Sequence, residues 1–430
     1  MPAIITRGAA SAKAFGWSGK TGSGYWQALS YSIVSPTTYD EWHYVKQDAS
    51  GNTFVAGISS EQGAILQKYA PASSTFLQQF TNLPTFYGTD CSNPSNGVAR
   101  ALAFDSSNNI YLVGRALYAF ALVKYNSSGT LVNKKTFACT NALGGGVSID
   151  SSSNIIFSGD TGSDLFVHKY SSTYTLIWRR SFSNCAQPIN GQTRSVVNTS
   201  TNVTFIAGTL TGTAGCAIIA VDSAGATSWS RKLTQSGTVA GMDIKLDSTG
   251  ANIYVSVLCS TLGKMVVAKY NTSGTLQWQR SLSGPPTVSA TQGLALDSSD
   301  NVYVSGQGDD GIIAKWDSSG TIQWQRNFPG TNRFYPYSVS VYGTSFYIGG
   351  LSGARAMAFV LPTDGSKTGT FPTLNTFSFT YSASAYTEAA GGMTEAAFTT
   401  TNSTDTSKTL GDAAYGDGTN TKTNAIGQIT

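Results

Sequence analysis

The chain has 430 residues, 40% hydrophobic and only 12% charged, with a formal net charge of +4; the charged share is roughly half that of an average soluble protein. It holds no run of Lys or Arg to follow a phosphate backbone and no apolar stretch of about eighteen residues, which argues against nucleic-acid tracking and a membrane-spanning helix. Gly, Ser and Thr fill the composition alongside abundant Tyr and Phe, a mix that suits short strands joined by tight turns and predicts an all-β protein.

In chain order, residues 1–24 are rich in Gly, Ala and Ser and read as an N-terminal arm, an assembly anchor. The opening Met1-Pro2-Ala3-Ile4-Ile5-Thr6-Arg7 lacks the apolar core of a secretory signal. Tyr25–Ser30 (YWQALS) then reads as a β-strand of the LQWQRS type seen later, although it precedes the first repeat.

Residues 25–371 carry seven imperfect copies of one unit. The clearest runs GLALDSSDNVYVSG, then IIAKWDSSGTIQWQRNF, ending at Phe328. The position of Gly306 recurs at Gly57, Gly114, Gly159, Gly208, Val257 and Gly350, with spacings of 57, 45, 49, 49, 49 and 44 residues. Each copy holds four apolar runs. The first ends in D-S-S-x-N, which supplies Asp and Asn for a tight turn, and the third runs into N/D-S-S-G-T, where glycine takes a positive φ without steric cost. The fourth carries Trp178, Trp229, Trp278 and Trp324 at equivalent places. Four antiparallel strands at this period predict a seven-bladed β-propeller of four-stranded blades. Its ring would be closed by the N-terminal strand completing blade seven, with Leu374–Tyr381 as the competing segment. Residues 372–430 read as a Thr/Ala/Gly-rich tail or assembly segment, containing the duplication TEAAGGMTEAAF. Its composition predicts disorder, or order borrowed from a neighbouring subunit.

The units resemble bacterial SBBP-type propeller repeats, approximately D-x-x-G-N-x-Y-V-x-G followed by K-Y-x-x-x-G-x-x-x-W, over Tyr25 to Thr370. The match fades where Thr199 and Val341 replace the turn Asp. The N-terminal arm resembles that of SBBP-repeat proteins of bacteriophages. These resemblances imply a non-enzymatic virion structural protein, a tail, baseplate or fibre component located in the virion. Its expected partners are other virion proteins and a host-surface glycan or protein. The alternatives are a secreted or cell-surface binding propeller of a bacterium and, third, a glycosidase- or quinoprotein-like propeller enzyme.

Chemistry has little material. The two histidines, His43 and His168, and five cysteines without metal spacing (Cys91, Cys139, Cys185, Cys216, Cys259) predict no metal site, no cofactor and free thiols, with a Cys139–Cys185 approach as the alternative. The turn KWDSSGTIQW superficially matches a sialidase Asp-box, but Asp317 lies three residues before Gly320 rather than two. A quinoprotein would need a carboxylate cluster in its channel. The pairs Asp309/Asp310 and Asp160/Asp164 suit solvated loops better than general acid–base work. No catalytic residue is assigned. First-to-second and third-to-fourth turns, on one face of the disc, are monotonous; the turns of the other face differ in every blade. Binding is therefore expected on that variable face, at Phe86, Tyr87, Arg115, Tyr118, Arg333, Phe334, Tyr335 and Arg355.

Overall fold

A computed structural model of the chain describes residues 40–366 except 60–62, 72–75, 80–96, 117–118, 139–142, 162–163, 187–193, 213, 260, 262, 284–289, 331–332 and 354. It also describes 27–31, 369–370, 380–383, 387–390, 393–397, 402–404 and 411–412. The described chain forms seven antiparallel sheets, each built on one sequence repeat. Blade five is typical: Val239–Leu246, Asn252–Cys259, Lys264–Asn271 and Leu276–Ser283 pair in succession.

Local chemistry explains why each strand stops where it does. In the first turn of blade six, Asp297 Oδ1 accepts the backbone N–H of Ser299 and Asn301, and Oδ2 accepts the Asn301 amide. The same arrangement recurs at Asp48, Asp105 and Asp150. Blade four, where Thr199 follows, uses Asn198 instead. Middle strands are covered by a neighbouring blade on each face, so Gly215–Val221 is buried at every residue and reads as a continuous apolar run. The apolar clusters accordingly lie between blades: one joins Phe205, Ile218 and Leu233 to Ile244, Val255 and Val266.

In blades three to six the tryptophan strand couples the blade to the next one. Trp178, Trp229, Trp278 and Trp324 donate Nε1–H to the carbonyls of Ser223, Thr272, Ser318 and Thr363 in the following blade, at 2.9–3.2 Å. Two residues on, Arg180, Arg231, Arg280 and Arg326 donate to the carbonyls of Gly225, Gly274, Gly320 and Gly365. The turn glycine is needed twice over. Gly320 sits at φ +85°, and a Cβ there would lie 2.9 Å from the Trp278 ring.

The N-terminal strand is Gln27–Tyr31, and it pairs antiparallel with Arg355–Pro362 of blade seven, in register Gln27 with Val360 through Tyr31 with Ala356. It fills the fourth-strand place of a blade that supplies three strands of its own and closes the ring as expected. Tyr25 and Trp26 lie outside the described residues. Of the competing segment Leu374–Tyr381, residues 374–379 lie outside the described residues, and Thr380 and Tyr381 belong to the strand Thr380–Ala383, which pairs on the fourth strand of blade six.

The described segments of the tail pair with blades of their own chain. Thr380–Ala383, Thr387–Ala390, Thr394–Ala397, Asn402–Thr404 and Gly411–Asp412 pair outside the fourth strands of blades six, five, four, three and two. Small polar residues cannot build a core, but a strand added to an existing sheet needs none. The outer edge of every blade offers a row of unpaired N–H and C=O groups. Cys185, Cys216 and Cys259 are buried free thiols, whereas Cys91 and Cys139 lie outside the described residues.

Candidate functional site

The first strand of each blade borders the ring axis, and six of the seven carry an irregularity there. An extra residue interrupts the register at His43, Arg100, Gly145, Met242 and Tyr337, and two extra residues, Gln292 and Gly293, do so in blade six. A bulge re-aims a side chain that strict alternation would have placed between blades. Each lies in the first half of its strand, hence towards the face with the variable turns.

These residues meet across blades. His43 Nε2 lies 2.9 Å from Glu41 Oε2, and Nδ1 lies 3.2 Å from Arg100 NH1. A guanidinium only donates, so Nδ1 is the acceptor and Nε2 carries the proton donated to Glu41. The ring stacks on Tyr337 of blade seven, centroids 5.2 Å apart. Burial and then the Arg100 charge hold the imidazole below its ordinary pKa, against the opposing pull of Glu41. Burial likewise pushes Arg100 down to about 10, leaving it charged at neutral pH. Arg194 of blade four reaches the carbonyls of Arg100 and Gly145, each at 2.8 Å, and lies 4.8 Å over the Tyr44 ring of blade one. In blade five, Asp243 pairs with Lys245 and accepts Leu294 N–H of blade six at 3.1 Å. A polar network thus ties together blades one, two, three, four and seven, and a separate contact joins blade five to blade six. The imidazole that would serve as its base has both nitrogens engaged.

The sequence-predicted binding residues do not form one cluster. Phe86, Tyr87 and Tyr118 lie outside the described residues. Arg115 is half-buried in the second strand of blade two, opposite Val98, and its charge reaches Arg100. Arg333 is exposed, its side chain 58% accessible, and pairs with Asp309 at 3.3 Å. Tyr335 is half-buried beside it. Arg355 opens the third strand of blade seven, opposite Ser352.

Phe334 requires correction as a contact residue. It is fully buried between Phe328 and Phe359, because strand alternation turns it inward while Tyr335 faces the other way. Asp309 and Asp310 belong to a tight turn closed by Gly308 N–H on the Asp310 carbonyl, and Asp160 is buried in its strand. Burial, and then Asp309, raises the Asp310 pKa. Burial pushes the Cys259 thiol up to about 12, so it is unreactive. Among the described residues no group of three His, Cys, Asp or Glu side chains is placed to hold a metal, and no helix is long and apolar enough to cross a membrane.

Sequence reasoning weighed His43 only as metal or catalytic material and missed Glu41, Arg100, Arg194 and Tyr337. The available signal was a polar or aromatic residue breaking an apolar run, as Arg100 does in GVARALAF.

The fold is similar to that of a catalytically inactive virginiamycin B lyase from Staphylococcus aureus solved with quinupristin: 10% identity, TM-score 0.50, covering 78% of this chain and 99% of that one. The Dos1 propeller aligns at 11% identity and TM-score 0.48, over 83% and 95% of the two chains. A Lactobacillus plantarum protein aligns at 15% identity and TM-score 0.44, over 72% and 93%. At such identities the likeness concerns architecture alone. No curated protein sequence matches the chain. The family model for outer membrane protein assembly factor BamB matches residues 120–359, more than half of the chain, from the third strand of blade two to the third strand of blade seven. By that match and its ring of seven blades, the chain belongs to the PQQ_2 family of β-propellers, described as outer membrane protein assembly factor BamB.

Proposed function

We propose that the protein is a non-enzymatic docking and adhesion propeller, a structural component of a phage virion, that meets its partner through the variable-turn face. The observation that carries the non-enzymatic reading is the state of His43, whose lone pair is held by Arg100 and whose proton is held by Glu41. Such a group locks neighbouring blades together and has no free lone pair with which to take a proton from a substrate. The docking reading rests on Arg333 and Tyr335, which stand at the interblade connection into blade seven beside the Gln307–Gly311 turn. A cation beside an aromatic suits sugar and peptide surfaces. The virion placement rests on the N-terminal arm, and its partners are other virion proteins and a host-surface glycan or protein.

One observation favours a second reading, a secreted or cell-surface binding propeller of a bacterium: the family description names an outer-membrane assembly factor. Both readings place contact on the same face and differ in partner. The double variant Arg333→Glu, Tyr335→Ala tests that face. Weakened attachment to host cells or particles at unchanged thermal stability supports docking there, and unchanged attachment rejects it. Purification of the native protein with virions or with envelope fractions distinguishes the two placements. Turnover of a glycan or lactone panel would reject the non-enzymatic reading altogether.

A further inference from the structure

The tail meets the blades with a period of its own. Ala383 is opposite Arg326, Ala390 opposite Arg280, Ala397 opposite Arg231 and Thr404 opposite Arg180, so the register advances seven residues for each blade. These arginines are the equivalent residues that hold the turn of the following blade. On blade two the partner is Asp412, opposite Lys135, one residue further on. The sequence carries the same period: Thr380, Thr387, Thr394, Thr401 and Thr409 each stand three residues before the position opposite the basic residue. The duplication TEAAGGMTEAAF is therefore two steps of one repeat, and each step spans at most ~23–25 Å of extended chain.

A second contact shows that the placement is more than strand pairing. Met393 is 5% exposed and enters the apolar cluster between blades four and five, its sulfur 3.9 Å from Cys259. The Gln279 side chain grips its backbone twice, donating to the Met393 carbonyl at 2.8 Å and accepting its N–H at 3.2 Å. Thr234 adds a hydroxyl bond to the Thr394 carbonyl at 3.3 Å. Blade six carries Gln325 at the position of Gln279, and the tail carries Tyr386 one step before Met393.

We infer that the outer edges of blades two to six are five copies of one peptide-binding site. The chain's own tail fills all five: blades six, five and four take seven-residue steps of the pattern apolar-Thr-x-x-small (Phe379-Thr380 to Ala383, Tyr386-Thr387 to Ala390, Met393-Thr394 to Ala397), and blades three and two take steps that keep the Thr and lack the apolar residue. Recognition combines main-chain pairing with a side-chain pocket between blades, the mode by which sheet edges bind extended peptides. Each contact is short, so retention comes from linking the steps together. The predicted ligand class is an extended segment of this heptad pattern.

Two deletions in the full chain test this. Removing residues 387–393 takes out one whole step and leaves Tyr386 joined to Thr394. Removing residues 389–392 puts every later step out of phase. Amide hydrogen exchange is read on the fourth strands, with near-ultraviolet circular dichroism as the check on folding. The seven-residue deletion should keep Leu276–Ser283, Thr227–Thr234 and Leu176–Phe182 protected and expose only Leu131–Ala138. The four-residue deletion should expose the outer edges of blades two, three and four. Equal protection or equal exposure in the two variants would overturn the inference. As a separate arm, Met393→Asp should speed exchange of Thr227–Thr234; unchanged exchange there would remove the pocket from the model of recognition.

Discussion

At the residue scale, the repeat motif encodes contacts between blades as much as turns within them. The turn of one blade receives the tryptophan and arginine of the preceding blade, a staple repeated at the four joints between blades three and seven, with the motif G-T-x-x-W-x-R in blades five and six. Gly320→Ala is expected to destabilise through the strained φ and the collision with Trp278, costing about 1–3 kcal/mol. Trp324→Ala should cost about 3 kcal/mol or more, since the indole is 9% exposed and packs on Tyr303 and Phe346. Thermal or denaturant unfolding measures both. A Trp324→Ala protein as stable as the parent would contradict a structural role.

The turn aspartates give a pH dependence. Burial raises the carboxyls of Asp105, Asp150, Asp247 and Asp297, but hydrogen bonds outweigh it and hold each below its ordinary pKa: from Asn109, Asn252 and Asn301 to three of them, and from Lys169 and then Asn154 to Asp150. A carboxyl depressed in the folded state adds stability that is fully present above the unfolded value, about 4. It is lost as the pH falls through the lower, folded value. Unfolding free energy from these groups should therefore hold to about pH 5 and fall below pH 4, and Asp297→Asn should flatten that acid limb. An acid limb unchanged by the substitution would place the sensitivity elsewhere.

At the element scale, the ring is closed by exchange between distant segments. The strand Gln27–Tyr31 completes blade seven, so deleting residues 1–31 leaves the outer edge of that blade open. The expected result is a lower Tm and edge-to-edge association, seen by calorimetry and light scattering. A monomeric deletion variant with the parent's Tm would show that the strand is dispensable. The repeat pattern made this closure readable, because YWQALS copies the fourth-strand type. The tail was not readable in the same way. Composition correctly indicates that Thr-, Ala- and Gly-rich residues form no core, yet it is blind to an acceptor edge supplied by five other strands. Phe334 and Tyr335 show a related boundary. They are adjacent in sequence and similar in chemistry, and only the register of Phe334–Tyr342 against Ser345–Ser352 decides which one is buried.

At the scale of the whole molecule, the two faces of the disc differ in kind. The uniform face is built from Asp- and Gly-centred turns that fix the blades, whereas the other carries the variable turns and the polar mouth of the axis. On the proposed docking role, Asp297→Ala on the uniform face should lower stability and leave attachment intact, and Arg333→Glu on the variable face should do the reverse. Finding the effects exchanged would invert the assignment of faces. Blade number, strand order, turn chemistry and ring closure were all legible in the sequence. Each depends on a pattern repeated within about fifty residues, and a repeat reports its own local geometry. The network of Glu41, His43, Arg100, Arg194 and Tyr337, and the belt of tail strands, were decided by tertiary structure alone. Their members come from different blades, are far apart along the chain, and meet only because seven sheets close around one axis and expose one edge each at the rim.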